Sequence, residues 1–389
     1  MRFTVLGAGL MGRAVLHDLA NAPETERLLV ADFDGKRAAA VARQFGRGKA
    51  KAEFADVRDV RATTRLLQDT GVVVNCTQYD WNLHAMKAAL AARVNYLDLG
   101  GLYYMTRRQS ELDAQFRRAG LLALIGMGGA PGVTNIMARA ASEGMERVES
   151  IKVYNAGADQ QRYSTPMAYT FSIATILDEL TVPPVTFEDG HFRKKELLSD
   201  PEHGKFAAPI GTIVLRNSLH SELGTLPMSF RNLGVREVRF KINYAPEFVG
   251  LVRALTTLGL TSPEAVAVNG THVAPRAVLL SLLSRRSAEK PARDVEAMRV
   301  VVTGKRDGCR RAVAMEAWTD YTVRPSFSAV ARDTGFPASI AALMIARGQI
   351  RGTGVAAPEN IVPPKPFFRE LEKRDIRIRR WKLNPPRVH

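Results

Sequence analysis

Short apolar runs alternate with helix-spaced stretches through the first third of the chain. Arg2–Leu6 reads as a strand that stops at Gly7. From Leu10 to Ala20 the spacing turns helical, with Leu10, Ala14, Leu16, Leu19 and Ala20 mostly on one face. The alternation then repeats. Strands are expected at Leu28–Ala31, around Lys51–Phe54, at Val72–Cys76, Asn95–Leu99 and Leu121–Ile125. Between them, helices are expected over Lys36–Phe45, Val57–Leu67, Leu83–Ala92 and Gln109–Ala119. Six apolar strands separated by helices predict an α/β domain, a doubly wound parallel sheet covered on both faces with right-handed crossovers.

The texture changes after the glycine-rich stretch Gly126–Gly132. Strand-like alternation appears in Val148–Tyr154, Thr212–Ser218, Val235–Tyr244 and Met298–Thr303, and helices are expected over Met167–Leu180, Pro246–Leu258 and Pro275–Leu283. Lys305-Arg306-Asp307-Gly308 reads as a hairpin turn. Such a pattern predicts a second, α+β domain with an antiparallel or mixed sheet and helices on one side. The division expected is 1–130, a dinucleotide-binding domain; 131–325, a catalytic and oligomerising domain; and 326–389, a C-terminal segment packing back on the first. Ser339–Ala346, apolar on nearly every side, should be a buried helix within that last segment.

Chemistry enters at the first turn. Gly7-Ala8-Gly9-Leu10-Met11-Gly12 follows a strand, opens a helix, and precedes by twenty residues Asp32 at the end of the next strand. This is the dinucleotide fingerprint in its full context. Gly7 permits the tight turn, Gly9 lets backbone approach a pyrophosphate, and Gly12 lets helix and strand pack closely. Asp32 would accept hydrogen bonds from the adenosine ribose and repel a 2′-phosphate, so NAD is the expected cofactor, although Lys36 and Arg37 could reach a phosphate. The other strand ends of a Rossmann sheet face the same crevice. Asp56-Val57 should lie near the adenine, Cys76-Thr77 beside the pyrophosphate or nicotinamide ribose, and Asp98 near the nicotinamide. Asp98 reads equally as a loop-capping carboxylate and as a ligand, and with His220 it is the residue expected to handle protons in catalysis. Backbone around Gly129 could approach nicotinamide or substrate. In the second domain His220, with Glu222 beside it, is a candidate acid/base, and Arg231 could bind a substrate carboxylate bidentately.

Composition narrows the picture little. A hydrophobic fraction of 46% and a charged fraction of 24% suit a globular protein. No apolar run is long enough to span a bilayer, and the N-terminus lacks signal-peptide features, so a cytoplasmic protein is expected. The two cysteines, Cys76 and Cys309, form no disulfide framework and have no metal-ligand spacing, and no metal is expected. The net charge of +16 is unusual. It is spread along the chain except in the tail from Leu371 to His389, where seven Lys/Arg stand against Glu372 and Asp375. No nucleic-acid motif accompanies it, so a solvated face and a tail packed on the body or on a neighbouring subunit are expected, and a nucleic-acid-binding sensor is the remote reading.

The segments VLGAGLMG, NLHAMKAAL, NYLDLGGLYYMTRRQ, GMGGAPGVTNIMA, TILDEL, PPVTFEDG, LHSELGTLP, FKINYAPEF, TGFPASIAALMIARG and GTGVAAPE together resemble saccharopine dehydrogenase-like oxidoreductases along nearly the whole chain. LHSELGTLP and YLDLGG draw the resemblance toward the lysine 6-dehydrogenase group. That resemblance implies a Rossmann domain, NAD, a homodimer or homotetramer, and oxidative deamination of the ε-amino group of L-lysine to 2-aminoadipate semialdehyde. It also implies substrate contacts for Tyr169 and Ser172. The alternative within the family is a saccharopine- or carboxynorspermidine-type reductase using NADPH, whose motifs around the substrate fit less well.

Overall fold

The structure is a computed structural model that describes residues 1–163, 169–285 and 291–384. Met167, the expected start of one helix, and residues 385–389 of the basic tail lie outside the described residues.

The first part of the chain runs β1 (Arg2–Leu6), α1 (Leu10–Asn21), β2 (Arg27–Asp32), α2 (Gly35–Phe45), β3 (Ala50–Phe54) and α3 (Val60–Leu67). It continues through β4 (Val72–Asn75), α4 (Asn82–Ala92), β5 (Asn95–Asp98), α5 (Leu102–Ser110), α6 (Asp113–Ala119) and β6 (Leu122–Leu124). Val72, Val73, Val74 and Asn75 are all buried, as a central strand covered on both faces requires. Asp34 and Asp59 start α2 and α3 by accepting the Arg37 and Ala62 amides at 3.1 and 2.9 Å. The helix expected over Gln109–Ala119 is instead the end of α5 and a separate α6, so the apolar spacing there spans a break.

The second part holds α7 (Val133–Ala141), β7 (Arg147–Asp159), α8 (Ile173–Thr181), β8 (Val185–Glu188), β9 (His191–Lys194), β10 (Glu202–Lys205) and β11 (Thr212–Asn217). Then come α9 (Glu222–Ser229), β12 (Glu237–Ile242), α10 (Pro246–Thr257), β13 (Val266–Val268), β14 (Thr271–Val273) and α11 (Pro275–Arg285). The long hairpin β15 (Asp294–Arg306) and β16 (Cys309–Asp320) follows, with Asp307 and Gly308 in its turn at φ +52° and +68°. Two positive φ values in a two-residue turn suit the twist of a hairpin. These strands build a mixed sheet in the order β10-β11-β12-β7-β15-β16, with β8 and β9 attached beside β12. β12 and β7 pair in parallel; β7, β15 and β16 pair antiparallel.

The chain then makes the short pair β17 (Thr322–Val323) and β18 (Ser326–Phe327), the long helix α12 (Ala329–Ala346), β19 (Gly354–Ala356), α13 (Pro358–Ile361), α14 (Pro364–Glu372) and β20 (Arg377–Leu383). β19 returns to the first sheet beside β6, so that sheet has seven parallel strands in the order β19-β6-β5-β4-β1-β2-β3. The basic tail becomes β20 and pairs antiparallel with β16 at the edge of the second sheet. No described helix is long and apolar enough to cross a membrane.

α12 joins the two sheets. It packs on α1 so closely that a Cβ on Gly335 would stand 2.7 Å from the Ala14 Cβ. Asp18 of α1 accepts Ser339 Oγ through one carboxylate oxygen and Arg374 Nε, at 2.7 Å, through the other. Gly335→Ala is therefore expected to destabilise by about 1–3 kcal/mol through overpacking. Gly250→Ala in α10, where a Cβ meets nothing within 4 Å, should stabilise by about 0.5–1 kcal/mol. Urea unfolding of both variants checks this, and equal effects would show that α1 and α12 do not meet this tightly.

Candidate functional site

One cavity of about 750 Å³ runs from the glycine loop after β1 to the face of the second sheet. Its first half is built from the ends of parallel strands, the place where such sheets bind ligands. Gly7 and Gly9 follow β1, Asp32 ends β2, Ala55 to Arg58 follow β3, Cys76 and Thr77 follow β4, and Leu99 to Leu102 follow β5. Ala130 and Pro131 come from the glycine-rich segment beyond β6.

The loop has the form a dinucleotide needs. Gly7 sits at φ +94°, and a Cβ there would lie 2.7 Å from the Cys76 carbonyl oxygen. A Cβ on Gly12 would lie 1.8 Å from the Gly7 carbonyl oxygen, so only glycine lets α1 start this close to β1. A Cβ on Gly9 would meet nothing within 4 Å, and α1 has no side-chain cap. Open space above uncapped helix amides suits a pyrophosphate. Leu10 and Met11, also on the cavity wall, supply the first amides of that helix.

Asp32 is buried. Its Oδ2 accepts the Ala8 amide at 2.7 Å, while Oδ1 accepts the Asp34 amide at 2.9 Å and Arg37 Nη2 at 2.7 Å. Arg37 also lies over the Phe33 ring. Beside it, Arg58 forks onto Asp56, with Nη2 to Oδ2 at 2.6 Å, and lies over Trp81. This end thus carries two arginines, each paired with an acid: Arg37, which the sequence offered as a phosphate contact, and Arg58, which it did not.

The far half of the cavity is acidic. His220 stacks on Phe240 at 3.7 Å between centroids, and its Nδ1 bonds Glu222, which also accepts Thr134 Oγ1 at 2.8 Å. Because Nδ1 is engaged, Nε2 is the nitrogen left for a ligand. Burial lowers the imidazole pKa, but Glu222, Glu179 and Glu296 together outweigh it and hold His220 above its ordinary value. Glu179 lies on α8 and accepts the Tyr244 hydroxyl; burial pushes its pKa up to about 7. Glu296 lies on β15 beside Asn155, and burial pushes it likewise up to about 7. Ser221, Ser172, Thr175, Tyr169 and Thr334 add uncharged polar groups to the wall.

Of the residues expected from sequence, Gly7, Gly9, Leu10, Met11, Asp32, Asp56, Val57, Cys76, Thr77, Tyr169, Ser172 and His220 all line this one cavity. Gly12 lies just behind it as a packing residue. Three others do not reach it. Asp98 is fully buried and accepts Tyr96 Oη, Gln109 Nε2 and the amides of Gly100 and Gly126, the last two at 2.9 and 2.8 Å. It ties the ends of β5 and β6 together, which is the loop-capping reading and neither the ligand nor the proton-handling one. Gly129 packs away from the cavity, where a Cβ would stand 2.8 Å from the Asp333 carbonyl oxygen. That carbonyl is free of its helical partner because Pro337, four residues on, has no N–H. Arg231 is exposed in a single 3₁₀ turn outside the cavity lining. Cys76 does line the cavity, but burial pushes its thiol pKa far up, which suits packing rather than nucleophilic work.

Glu179, Glu296, Asn155 and Tyr244 escaped the sequence reading. Glu296 had a signal: it alternates with Met298, Val300 and Val302 on a face that is otherwise apolar and core-directed. An acid at such a position is either paired or functional. Glu222→Gln is expected to lower the His220 titration midpoint, because it removes the nearest carboxylate. Proton-detected titration of the ring checks this; an unmoved midpoint would mean that Glu222 does not control the imidazole.

Comparison with known proteins places these features in a family. Residues 3–124 match the saccharopine dehydrogenase NADP binding domain, and residues 128–376 match the saccharopine dehydrogenase C-terminal domain. A carboxyaminopropylagmatine dehydrogenase of Synechocystis is 26% identical over 383 residues, 94% of each chain. A carboxynorspermidine synthase of Vibrio cholerae is 25% identical, over 83% of this chain and 81% of that one. The apo saccharopine dehydrogenase (L-Glu forming) of Saccharomyces cerevisiae shares the fold, with a TM-score of 0.75 at 19% identity over 98% of this chain and 100% of that one. With both domains matched in order along most of its length, the chain belongs to the saccharopine dehydrogenase family of dinucleotide-binding oxidoreductases.

Proposed function

We propose that the protein makes, or in reverse cleaves, a secondary amine between a primary amine and a carboxylate-bearing aldehyde, with NADP(H) as the hydride carrier. The observation that carries this reading is the charge of the cavity. Among the described lining residues its substrate half holds Glu179, Glu296 and His220 but no Lys or Arg. Such a surface suits a cationic amine and is poorly matched to a substrate dominated by carboxylates. The names of the two relatives, carboxynorspermidine synthase and carboxyaminopropylagmatine dehydrogenase, both denote carboxylated polyamine chains. They support this reaction over the oxidative deamination of lysine that the sequence resemblance suggested.

The residues divide the work as follows. The glycine loop and the first amides of α1 would hold the pyrophosphate of a dinucleotide, whose nicotinamide would supply the hydride when bound. His220, kept basic by Glu222, takes a proton from the substrate ammonium so that the free amine can attack the aldehyde carbon. The same imidazole then returns that proton to the hydroxyl of the carbinolamine, which leaves as water. Glu179 and Glu296 keep a negative field around the resulting iminium, which accepts the hydride. The secondary amine formed takes up one proton from solvent, so one proton is consumed per turnover.

For the nucleotide, Arg37 tips the balance from NAD toward NADP(H). Asp32 was expected to repel a 2′-phosphate, yet its Oδ1 is paired with Arg37 at 2.7 Å, and Arg58 lies nearby on the same wall. A phosphate there would meet guanidinium groups as well as the acid.

Two outcomes are expected. NADPH absorbance should fall only when a primary amine and a carboxylate-bearing aldehyde are supplied together; NADH formation from L-lysine and NAD alone would restore the lysine reading. Arg37→Ala should raise the KM for NADPH about tenfold or more, the worth of one charged contact, and leave the KM for NADH little changed. Equal effects on both nucleotides would sink the 2′-phosphate role.

A further inference from the structure

Glu359 is a buried carboxyl that the proton transfers leave unused. It stands on α13 in the C-terminal segment, outside the cavity lining, and is 3% exposed. Three neutral donors satisfy it. Asn135 Nδ2 reaches Oε2 at 2.9 Å, Ser229 Oγ reaches Oε1 at 2.8 Å, and the Thr225 hydroxyl adds a third. Thr225 accepts in turn from Asn135 Nδ2 at 3.1 Å, and Ser229 from Asn360 Nδ2 at 3.0 Å. A carboxyl is buried at a large cost unless its donors are in place, so Glu359 holds the groups around it.

Those groups belong to two helices: Asn135 to α7, Thr225 and Ser229 to successive turns of α9. The same helices meet again through Thr134 and Glu222, both fully buried, where the Thr134 hydroxyl donates to Glu222 Oε1 at 2.8 Å. Thr134 precedes Asn135, and Glu222 lies one turn before Thr225, so the polar contacts form one line along the α7–α9 interface. At its cavity end Glu222 Oε2 bonds His220 Nδ1. Each contact removes a freedom of the imidazole. Phe240, parallel to the ring within 5°, fixes its plane. Glu222 engages Nδ1 and so decides that Nε2 is the nitrogen left for the cavity. A carboxylate can turn away from that bond unless its other oxygen is tied, and Thr134 ties it. Thr134 keeps its place because Asn135 beside it is pinned to Glu359 and accepts the Gly132 amide at 3.0 Å.

We propose that Thr134 and Glu359 are positioning residues for His220. Thr134 acts through Glu222, and Glu359 acts through the α7–α9 interface, so that the C-terminal segment aims the imidazole from outside the cavity. This rests on the assignment of proton transfer to His220 above and adds the groups that hold the ring to that task.

Two measurements on the full-length protein separate aim from packing. One is titration of the His220 ring, which needs no turnover. The other is the pH profile of kcat with NADPH and the amine–aldehyde pair that oxidises it fastest. His220 accepts a proton in its neutral form, so kcat should rise with pH through its midpoint. Thr134→Val keeps the side-chain shape and removes the donor. It should lower the midpoint, move that limb of the profile toward acid, and reduce kcat about tenfold, as for one lost hydrogen bond to a charged group. The KM for NADPH should not change, and Thr134→Ser should restore midpoint and rate. Glu359→Leu should shift the midpoint in the same direction, and Glu359→Gln, which keeps the shape and an acceptor for Asn135, should restore it. Glu179 and Glu296, which also face the ring, are unaltered in all four variants. Should Glu359→Leu fail to fold, Ser229→Ala at the half-buried end of the interface provides the second reading by the same shift. A midpoint that stays put in Thr134→Val, or a Thr134→Ser variant no better than it, would overturn the role of Thr134, as would a fall in kcat with no movement of the limb. An unmoved midpoint in Glu359→Leu, or in Ser229→Ala in its place, would overturn the role of Glu359, and so would a Glu359→Gln variant as displaced as Glu359→Leu. Shifted midpoints in a protein that turns over no amine–aldehyde pair would uphold the positioning and overturn the reaction instead.

Discussion

Everything about the cavity depends on the contact between α1 and α12. The helix that begins at the phosphate loop and the helix that carries Val330 and Thr334 into the cavity wall are held at a distance only glycine permits, with Gly335 against Ala14. Ser339 and Arg374 both satisfy Asp18, a carboxylate that is itself buried. A buried carboxylate that lost these donors would be strongly destabilising. The contact is therefore fixed in register as well as in distance. Through it, the turn that holds a pyrophosphate and the strand that carries Glu296 are parts of one packed unit, and the space between them has a defined size.

Inside that space the governing physics is desolvation. Glu179, Glu296 and Asp333 are each raised first by burial, and only afterwards adjusted by neighbours. The same burial would lower His220, and it is the surrounding carboxylates that reverse the sign. Acids that hold protons near neutrality and an imidazole that stays charged above its usual range support one another: each cation formed in the cavity is stabilised by the acids, and each acid ionises more readily beside a cation. At the opposite end the pattern differs. Asp32 and Asp56 are matched by Arg37 and Arg58 within hydrogen-bond distance. One cavity thus has a charge-balanced end at the glycine loop and an acidic end at the second sheet.

Sequence made the first domain legible because its strands are short, apolar and separated by helical spacing, and because Gly7, Gly9, Gly12 and Asp32 fall at offsets that only one turn explains. Nine of the twelve expected site residues that meet in the cavity come from this domain, and Tyr169, Ser172 and His220 come from the second. The parts that were not legible depend on contacts distant in sequence. The seventh strand, Gly354–Ala356, is too short to show a period, and nothing local says that it pairs with β6. Asp98 looked like a ligand because it ends a strand at the crevice, but the fate of its oxygens is decided by Gln109 and Gly126. Arg231 had the right chemistry and the wrong place. Glu179 sits among buried Ile176, Leu177 and Leu180, so its helix reads as ordinary core with one tolerated acid. Only the fold brings it opposite His220.

The late return of β19 has a consequence for how the chain is made. The parallel sheet starts with β1, yet its edge beside β6 stays open until residues 354–356 have been synthesised. An unpaired parallel edge exposes a row of free amides and carbonyls, and that is the kind of surface on which nascent chains aggregate. The contacts that close it are also among the longest in sequence, so they form slowly. During synthesis the nucleotide-binding half therefore waits, incomplete, for nearly the whole of the second half. A truncation that spares every residue of the cavity but removes this strand would still leave the first domain unfinished.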